Sequence, residues 1–336
     1  MQDISPAQIA RLRTLPKAEI HVHLEGTFSP DLLEKWATEA NVPMPRPKAR
    51  LFEFGGLADF LEFLDWACHL AGTKQRLSEL CYDFARRLQQ DGTGYADIIV
   101  NPTHWTAWKR RLPEMLNAMD EGFSRAEAEG LPPVGICISL LRTQSAQEAI
   151  DLVESLAKLA HPRVVALSVD GNEAATGRTA PKFADAFELA HERGLKTTVH
   201  AGESSDADGV WDAIEVLRAD RIDHGVRAIN DPAVVKLLVD KQIPIGICPS
   251  SNIVLKVYPT LADHPIERLR QAGVRISINT DDPSLLGASL AHEYALCQNQ
   301  FAWGDEVIKE IARTSIEASF APTQLKMQML AKLEAW

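Results

Sequence analysis

The sequence predicts an α/β fold, a (β/α)8 TIM barrel, on three observations. Apolar, β-rich runs alternate with amphipathic helical stretches along most of the chain. Eight such runs occur, and eight strands with crossover helices are best closed as a barrel, which leaves no exposed sheet edge. Residues suited to metal binding and proton transfer recur at the C-terminal ends of these runs, the ends that surround one mouth in a closed barrel. A chance scatter of polar residues would not favour strand ends so consistently.

In chain order, Pro6 to Thr14 reads as a short helix leading to a turn at Pro16. The expected strands are 18–24, 94–101, 134–141, 164–170, 196–202, 221–224, 243–248 and 274–280. Helical periodicity is clear at 145–160, 182–193, 209–219, 231–241 and 264–272, and Gly130, Gly194 and Gly273 stand where helices stop before the next strand. One long departure separates the first two strands. There 30–40, 57–71 and 75–90 read as helices, the first two joined by the proline-rich Val42–Pro47. This stretch, about 30–92, is expected as a helical insertion over the barrel mouth within a single 1–336 domain. Helices at 289–300, 305–319 and 322–334 finish the chain.

Bulk composition excludes several classes. The 336 residues are 46% hydrophobic and 24% charged, ordinary for a globular protein with a large core. A net charge of −11 argues against a nucleic-acid or anionic-membrane surface, since both require a basic face. No apolar run approaches a membrane span, and residues 1–19 lack the apolar core of a signal peptide. Five scattered cysteines, Cys68, Cys81, Cys137, Cys248 and Cys297, form no C-x-x-C pair and read as reduced, mostly buried thiols. A cytoplasmic protein is expected. Oligomeric state leaves no trace in the sequence.

The chemistry centres on Thr197-Thr198-Val199-His200-Ala201-Gly202-Glu203, a strand running out into a histidine, a glycine turn and a carboxylate. On the first strand, the period-2 alternation of His21-x-His23 puts two imidazoles on one face. With His200 and Asp281 they make an N3O set that suits zinc best, although cobalt, nickel or iron could also occupy it. Glu203 can cap the following helix, but its place three residues beyond a ligand favours acid–base work. His224 reads either as a satisfied buried histidine or as an orienter of a metal-bound water. In Asp281-Asp282 one carboxylate can face the metal and the other a ligand atom, with a helix cap the competing role for Asp282. Asp170-Gly171 and Ser250-Ser251-Asn252 lie at the same mouth. His161, His191 and His264 are expected at helix ends or on solvated faces, His69 and His292 within helices. His104, beside Trp105, could line the pocket.

At these residues the chain resembles the adenosine deaminase family, metal-dependent barrels that hydrolyse the 6-amino group of adenine-type purines. The matching stretches are Leu15–Gly26, Val199–Glu203, Arg221–Val226, Cys248–Asn252 and Ser277–Pro283, and the likeness spans about 15–320. It implies one zinc ion per chain, held by His21, His23, His200 and Asp281. It implies further that Glu203 protonates purine N1, that His224 and Asp281 orient the attacking hydroxide, that Asp282 bonds N7, and that the Gly171 amide faces N3. Zinc lowers the pKa of its water to about 7. Protonation of N1 relieves the charge that attack at C6 puts on the ring, and such proton transfer gives about 10²–10⁴-fold in rate.

One departure bears on the substrate. Glu25, two positions after His23, is expected on the same strand face and so points into the mouth. Relatives that act on adenosine usually carry aspartate where this chain has Glu25, and glutamate there is more like the branch acting on free adenine. Two rival readings remain open: a two-metal amidohydrolase and a non-catalytic purine-binding protein. The first normally needs a bridging ligand from the fourth strand, often a modified lysine, and Val164–Gly171 contains no lysine.

Overall fold

The computed structural model describes residues 4–55 and 57–336, so Met1–Asp3 and Gly56 of the expected 1–336 unit lie outside the described residues. Among those residues eight strands pair in chain order, every pair parallel. They are β1 (Lys17–His23), β2 (Thr93–Val100), β3 (Val134–Leu141), β4 (Val164–Asp170), β5 (Lys196–Ala201), β6 (Arg221–His224), β7 (Ile245–Ile247) and β8 (Ile276–Ile278). Helices intervene, and the expected barrel is the observed architecture. No helix among the described residues is long and apolar enough to cross a membrane.

β7 and β8 are shorter than the apolar runs that announce them. The N–H of Ile243 closes the preceding helix on Leu238 O at 3.1 Å, and that of Val274 does the same on Leu269 O at 3.1 Å. Those residues serve helix C-caps and are lost to the ladder. The seam between β8 and β1 is correspondingly irregular. Asn279 Oδ1 accepts from the N–H groups of Ile20 (2.8 Å) and His21 (3.1 Å). Beyond it the backbone resumes: His23 N–H donates to Asp281 O at 2.8 Å and Asp281 N–H to His21 O at 3.2 Å, a parallel bridge pairing Val22 with Asp281.

The insertion holds helices at Pro30–Ala40, Leu57–Leu70 and Lys74–Gln90, as the periodicity indicates. Phe60 and Leu64 from the second of them reach the barrel mouth. A further helix, Leu112–Ala128, follows β2 in a span where the sequence shows no clear helical run. Its pattern is interrupted by Gly122, a residue that costs about 1 kcal/mol against alanine in a helix interior. A Cβ there would stand 2.2 Å from Ser78 O, so glycine is what allows the helix to press on Lys74–Gln90.

Ile99, Cys137 and Ala166 form a small apolar cluster apart from the main core, with Phe320 packed against it. The Arg221 guanidinium lies over the Phe320 ring, 4.3 Å from its centre, and pairs with Asp97 at 2.8 Å. Both charged groups are fully buried. Asp97 also accepts from Tyr95 Oη (2.9 Å) and Phe320 N–H (2.9 Å). Breaking such a pair from one side strands the other charge and costs about 3–5 kcal/mol. Asp97→Ala is therefore expected to lower the unfolding free energy by about that amount, read as a drop in denaturant midpoint.

Candidate metal centre and catalytic mouth

β1 delivers His21 and His23, β5 delivers His200, and the seam delivers Asp281. Their ligand atoms lie within 4.8 Å of one another. His200 Nε2 stands 3.1 Å from His21 Nε2 and 3.0 Å from His23 Nε2, and Asp281 Oδ1 is 3.3 Å from both His21 Nε2 and His23 Nε2. Ligands about 2.0–2.1 Å from a tetrahedral zinc stand roughly 3.3 Å apart. The donor set fits such an ion. A second group, His21, His224, Cys248 and Asp281, shares two of these residues, so both groups cannot be filled at once.

The outer atoms of the rings orient them. His21 Nδ1–H donates to Gly246 O at 3.1 Å, which leaves the Nε2 lone pair facing the centre. His200 Nδ1 faces Asp223 Oδ2 at 3.6 Å, and that oxygen accepts from Thr198 Oγ1 at 2.7 Å. Burial, with His21, His23 and His224 beside it, pushes the His200 pKa well below the ordinary value, so the ring is neutral as a ligand must be. Burial opposes ionisation of Asp281, but its hydrogen bond with His21 and the imidazoles of His21, His224 and His23 around it hold its pKa well below the usual range.

Next to this centre, β5 ends at Ala201 and the chain turns at Gly202, with φ +63. A Cβ at Gly202 would meet Val210 Cγ2 at 2.5 Å, so the turn admits only glycine. It brings Glu203 Oε1 to 3.5 Å from His224 Nε2. Burial, then the charges of Asp281 and Glu173, push the Glu203 carboxyl up to about 8. A cavity of about 610 Å³ opens over the group, lined among others by His104, Asp170, Gly171, Asp282, Leu255 and Val257. Asp282 is pushed well above the carboxylate range by burial, Asp281 and Glu25. It packs so closely on Gly26 that a Cβ there would lie 2.1 Å from Asp282 Oδ1.

The family model described as Adenosine deaminase matches residues 16–336. The chain belongs to the adenosine deaminase family. Among relatives, an adenine deaminase of Rhizobium etli is 35% identical over 320 residues, covering 95% of this chain and 99% of that protein. One from Cupriavidus taiwanensis is 32% identical over 335 residues, 98% of this chain and 95% of the relative. The solved structure of an adenine deaminase from Arthrobacter aurescens superposes with a TM-score of 0.88 at 27% identity, covering 96% and 99% of the two chains. The fold also matches an N6-mAMP deaminase of Arabidopsis, with a TM-score of 0.83 at 20% identity over 97% and 100% of the chains.

Within this family barrel, two expectations change. Glu25 does not continue the face of β1: the strand stops at His23, and Leu24–Gly26 is a 3-10 turn. Glu25 still reaches the cavity, because its Oε1 accepts from Asn101 N–H (2.9 Å) and Trp105 Nε1 (2.6 Å) in the loop after β2. Its Oε2 is buried with no hydrogen-bond partner among the described residues, and burial raises its pKa to about 8. His264 is not on a solvated face. It is 3% exposed, its Nε2 bonds Asn252 Oδ1 at 3.1 Å, and Pro265 after it caps the helix Ile266–Gln271.

Sequence reasoning gave no role to Arg142 and Glu173. Glu173 is buried, and its carboxylate accepts from four successive amides, Gly202 (3.0 Å), Glu203 (2.9 Å), Ser204 (3.2 Å) and Ser205 (3.3 Å), and from Ser205 Oγ (2.8 Å). Arg142, at the end of β3, donates to Gly171 O at 3.1 Å and to His200 O. Together they fix the ends of β4 and β5. A glutamate three residues past a strand looks like any helix cap, and Glu173 does open the short helix Glu173–Thr176. Bonds to a charged acceptor contribute about 1.5–3 kcal/mol. Glu173→Gln is expected to raise amide exchange at residues 202–205 about 10–100-fold, measured by hydrogen–deuterium exchange, without a matching change in β1.

Proposed function

We propose that the chain hydrolyses the 6-amino group of an adenine-type purine, with free adenine favoured, and releases ammonia. The observation that carries this reading is the meeting of His21, His23, His200 and Asp281 with Glu203 and His224 in one cavity. The relatives named adenine deaminase support the substrate. The four ligands would hold one zinc ion per chain, whose chemistry when bound is to acidify a water so that hydroxide is available near neutral pH.

The side chains supply the rest. Glu203, its proton retained by burial and by neighbouring carboxylates, delivers that proton to N1 as oxygen adds to C6. His224, beside Glu203, holds the attacking oxygen in line. Asp282 is kept protonated, so it can donate to N7, a ring atom that only accepts. The Gly171 amide donates to N3. In that orientation Glu25 meets the ring edge bearing N9, the position a ribose would occupy. Ammonia departs from the tetrahedral carbon.

Two substitutions separate the parts. His200→Ala removes one of the ligands and should abolish stoichiometric zinc in elemental analysis along with ammonia release. Glu203→Gln should keep the metal and lower turnover at least about 10²-fold. The wild-type kcat/KM should fall as pH rises through the Glu203 pKa. That limb lies at or below about pH 8, since a bound dication pulls the value down. Full zinc occupancy in His200→Ala, or near wild-type turnover in Glu203→Gln, would overturn the assignment.

Substrate choice is tested at Glu25. One methylene in a pocket is worth about 1–3 kcal/mol, or about 10–200-fold in selectivity. Glu25→Asp is expected to raise kcat/KM for adenosine relative to adenine within that range, with metal content unchanged. A ratio that does not move would show that another residue sets the choice.

A further inference from the structure

Behind His224 runs a chain of hydrogen bonds that ends on a backbone amide. Ile266 N–H donates to His264 Nδ1 at 3.2 Å. The Nδ1 of His264 is thus an acceptor and carries no proton, which excludes the imidazolium form. The proton of the neutral ring is therefore on Nε2, which lies 3.1 Å from Asn252 Oδ1. Burial, with His224 and Arg268 nearby, lowers the His264 pKa to about 3, in keeping with a neutral ring.

The direction propagates. Since His264 Nε2–H must donate, the Asn252 atom facing it is the carbonyl oxygen, and the amide nitrogen faces the other way. That nitrogen stands 3.2 Å from His224 Nδ1 and donates to it. Flipping the amide would set a donor against the His264 Nε2–H, and moving that proton to Nδ1 would set it against the Ile266 N–H. Neither alternative satisfies the buried groups. Asn252, His264 and His224 are all buried.

We propose that Asn252 and His264 are positioning residues that hold His224 in the tautomer with its proton on Nε2, making it a hydrogen-bond donor in the mouth. Around that Nε2–H stand two carboxyl oxygens, Glu203 Oε1 at 3.5 Å and Asp281 Oδ2 at 4.0 Å, both able to accept. A ring whose Nδ1 accepts from an amide and whose Nε2 already bears hydrogen has no free site for another proton. His224 then holds the attacking oxygen through a lone pair; the proton that water loses in becoming hydroxide returns through solvent to Glu203, and the added oxygen's own proton leaves with the ammonia. This deepens the deaminase reading and rests on it for the identity of the oxygen.

The test is ¹⁵N NMR of the metal-loaded full chain with labelled histidine rings, the His224 signals being assigned by their loss in His224→Gln. The expected wild-type result is an unprotonated Nδ1 and a protonated Nε2. A protonated Nδ1 in the wild type overturns the proposal, whatever any variant does. Asn252→Asp is nearly isosteric and replaces the donor with a carboxylate, so it should bring a proton onto His224 Nδ1. With zinc content and KM little changed, its kcat should fall about 10²–10³-fold, the effect of losing one preorganised donor. If Asn252→Asp leaves both the tautomer and kcat as in wild type, Asn252 is not the positioning residue. Failure to release ammonia from any purine would sink the deaminase reading instead, while leaving the tautomer measurement intact.

Discussion

The barrel seam between β8 and β1 is the constraint on which the site depends. A regular ladder would run past the mouth and leave no acidic side chain beside His21 and His23. Instead the Asn279 side chain substitutes for a strand, accepting two N–H groups of β1 through Oδ1 while its Nδ2 donates to Ser277 Oγ at 3.1 Å. Gly246 makes room for it, since a Cβ there would lie 3.2 Å from Asn279 Nδ2 and 3.4 Å from His21 Cβ. The chain can then turn at Asp281 with φ +65, a conformation few residues other than glycine adopt. The two backbone bonds to His21 and His23 hold it there. The distance from Asp281 to the two histidines is thus set by how the barrel closes.

Protonation is divided within the same few ångströms. Glu25, Glu203, Asp281 and Asp282 all line one cavity. Burial raises each carboxyl, and every one that ionises makes the next harder to ionise. The histidines resolve the competition in favour of Asp281, which lies against them, while Glu203 and Asp282 are pushed up by the Asp281 charge itself. Placement thus separates a lowered Asp281 from the raised carboxyls of Glu203 and Asp282. Environments that drive neighbouring carboxyls apart are the usual way acid and base roles are separated.

The eight strands and the ligand stretches were legible because each is local in sequence. An apolar run ending in His-x-His, or in His-Ala-Gly-Glu, carries its own geometry, and the barrel needs only to gather the ends. Residues whose role is set by a distant loop were not legible. His264 looks like a helix-end histidine until Asn252 and Ile266 are seen on its two nitrogens. Glu173 looks like a cap until four amides of another loop converge on it. The Leu112–Ala128 helix was obscured by Gly122, whose purpose is a contact with Ser78.

The two sides of the mouth are built on different principles. On the side formed by β4 to β8, Glu203 is placed by amides held on Glu173, and His224 by a relay anchored on the Ile266 amide. Backbone groups cannot swap tautomers or rotamers, so the chemistry is fixed by loop shape and tolerates little movement. On the other side, Glu25 is held by Asn101 and Trp105, and Phe60, Leu64 and His104 come from the insertion and the loop after β2. This side meets the ligand group at Asp170, whose Oδ1 accepts from Asn101 Nδ2 at 2.6 Å and whose Oδ2 stands 4.0 Å from His23 Nδ1. Substitution there is felt at the reacting end as well, because Glu25 adds to the burial and the Asp281 charge that push Asp282 up. The ligand pair and Glu25 therefore cannot move independently in this barrel, because β1 carries His21 and His23 and runs directly into the turn that holds Glu25.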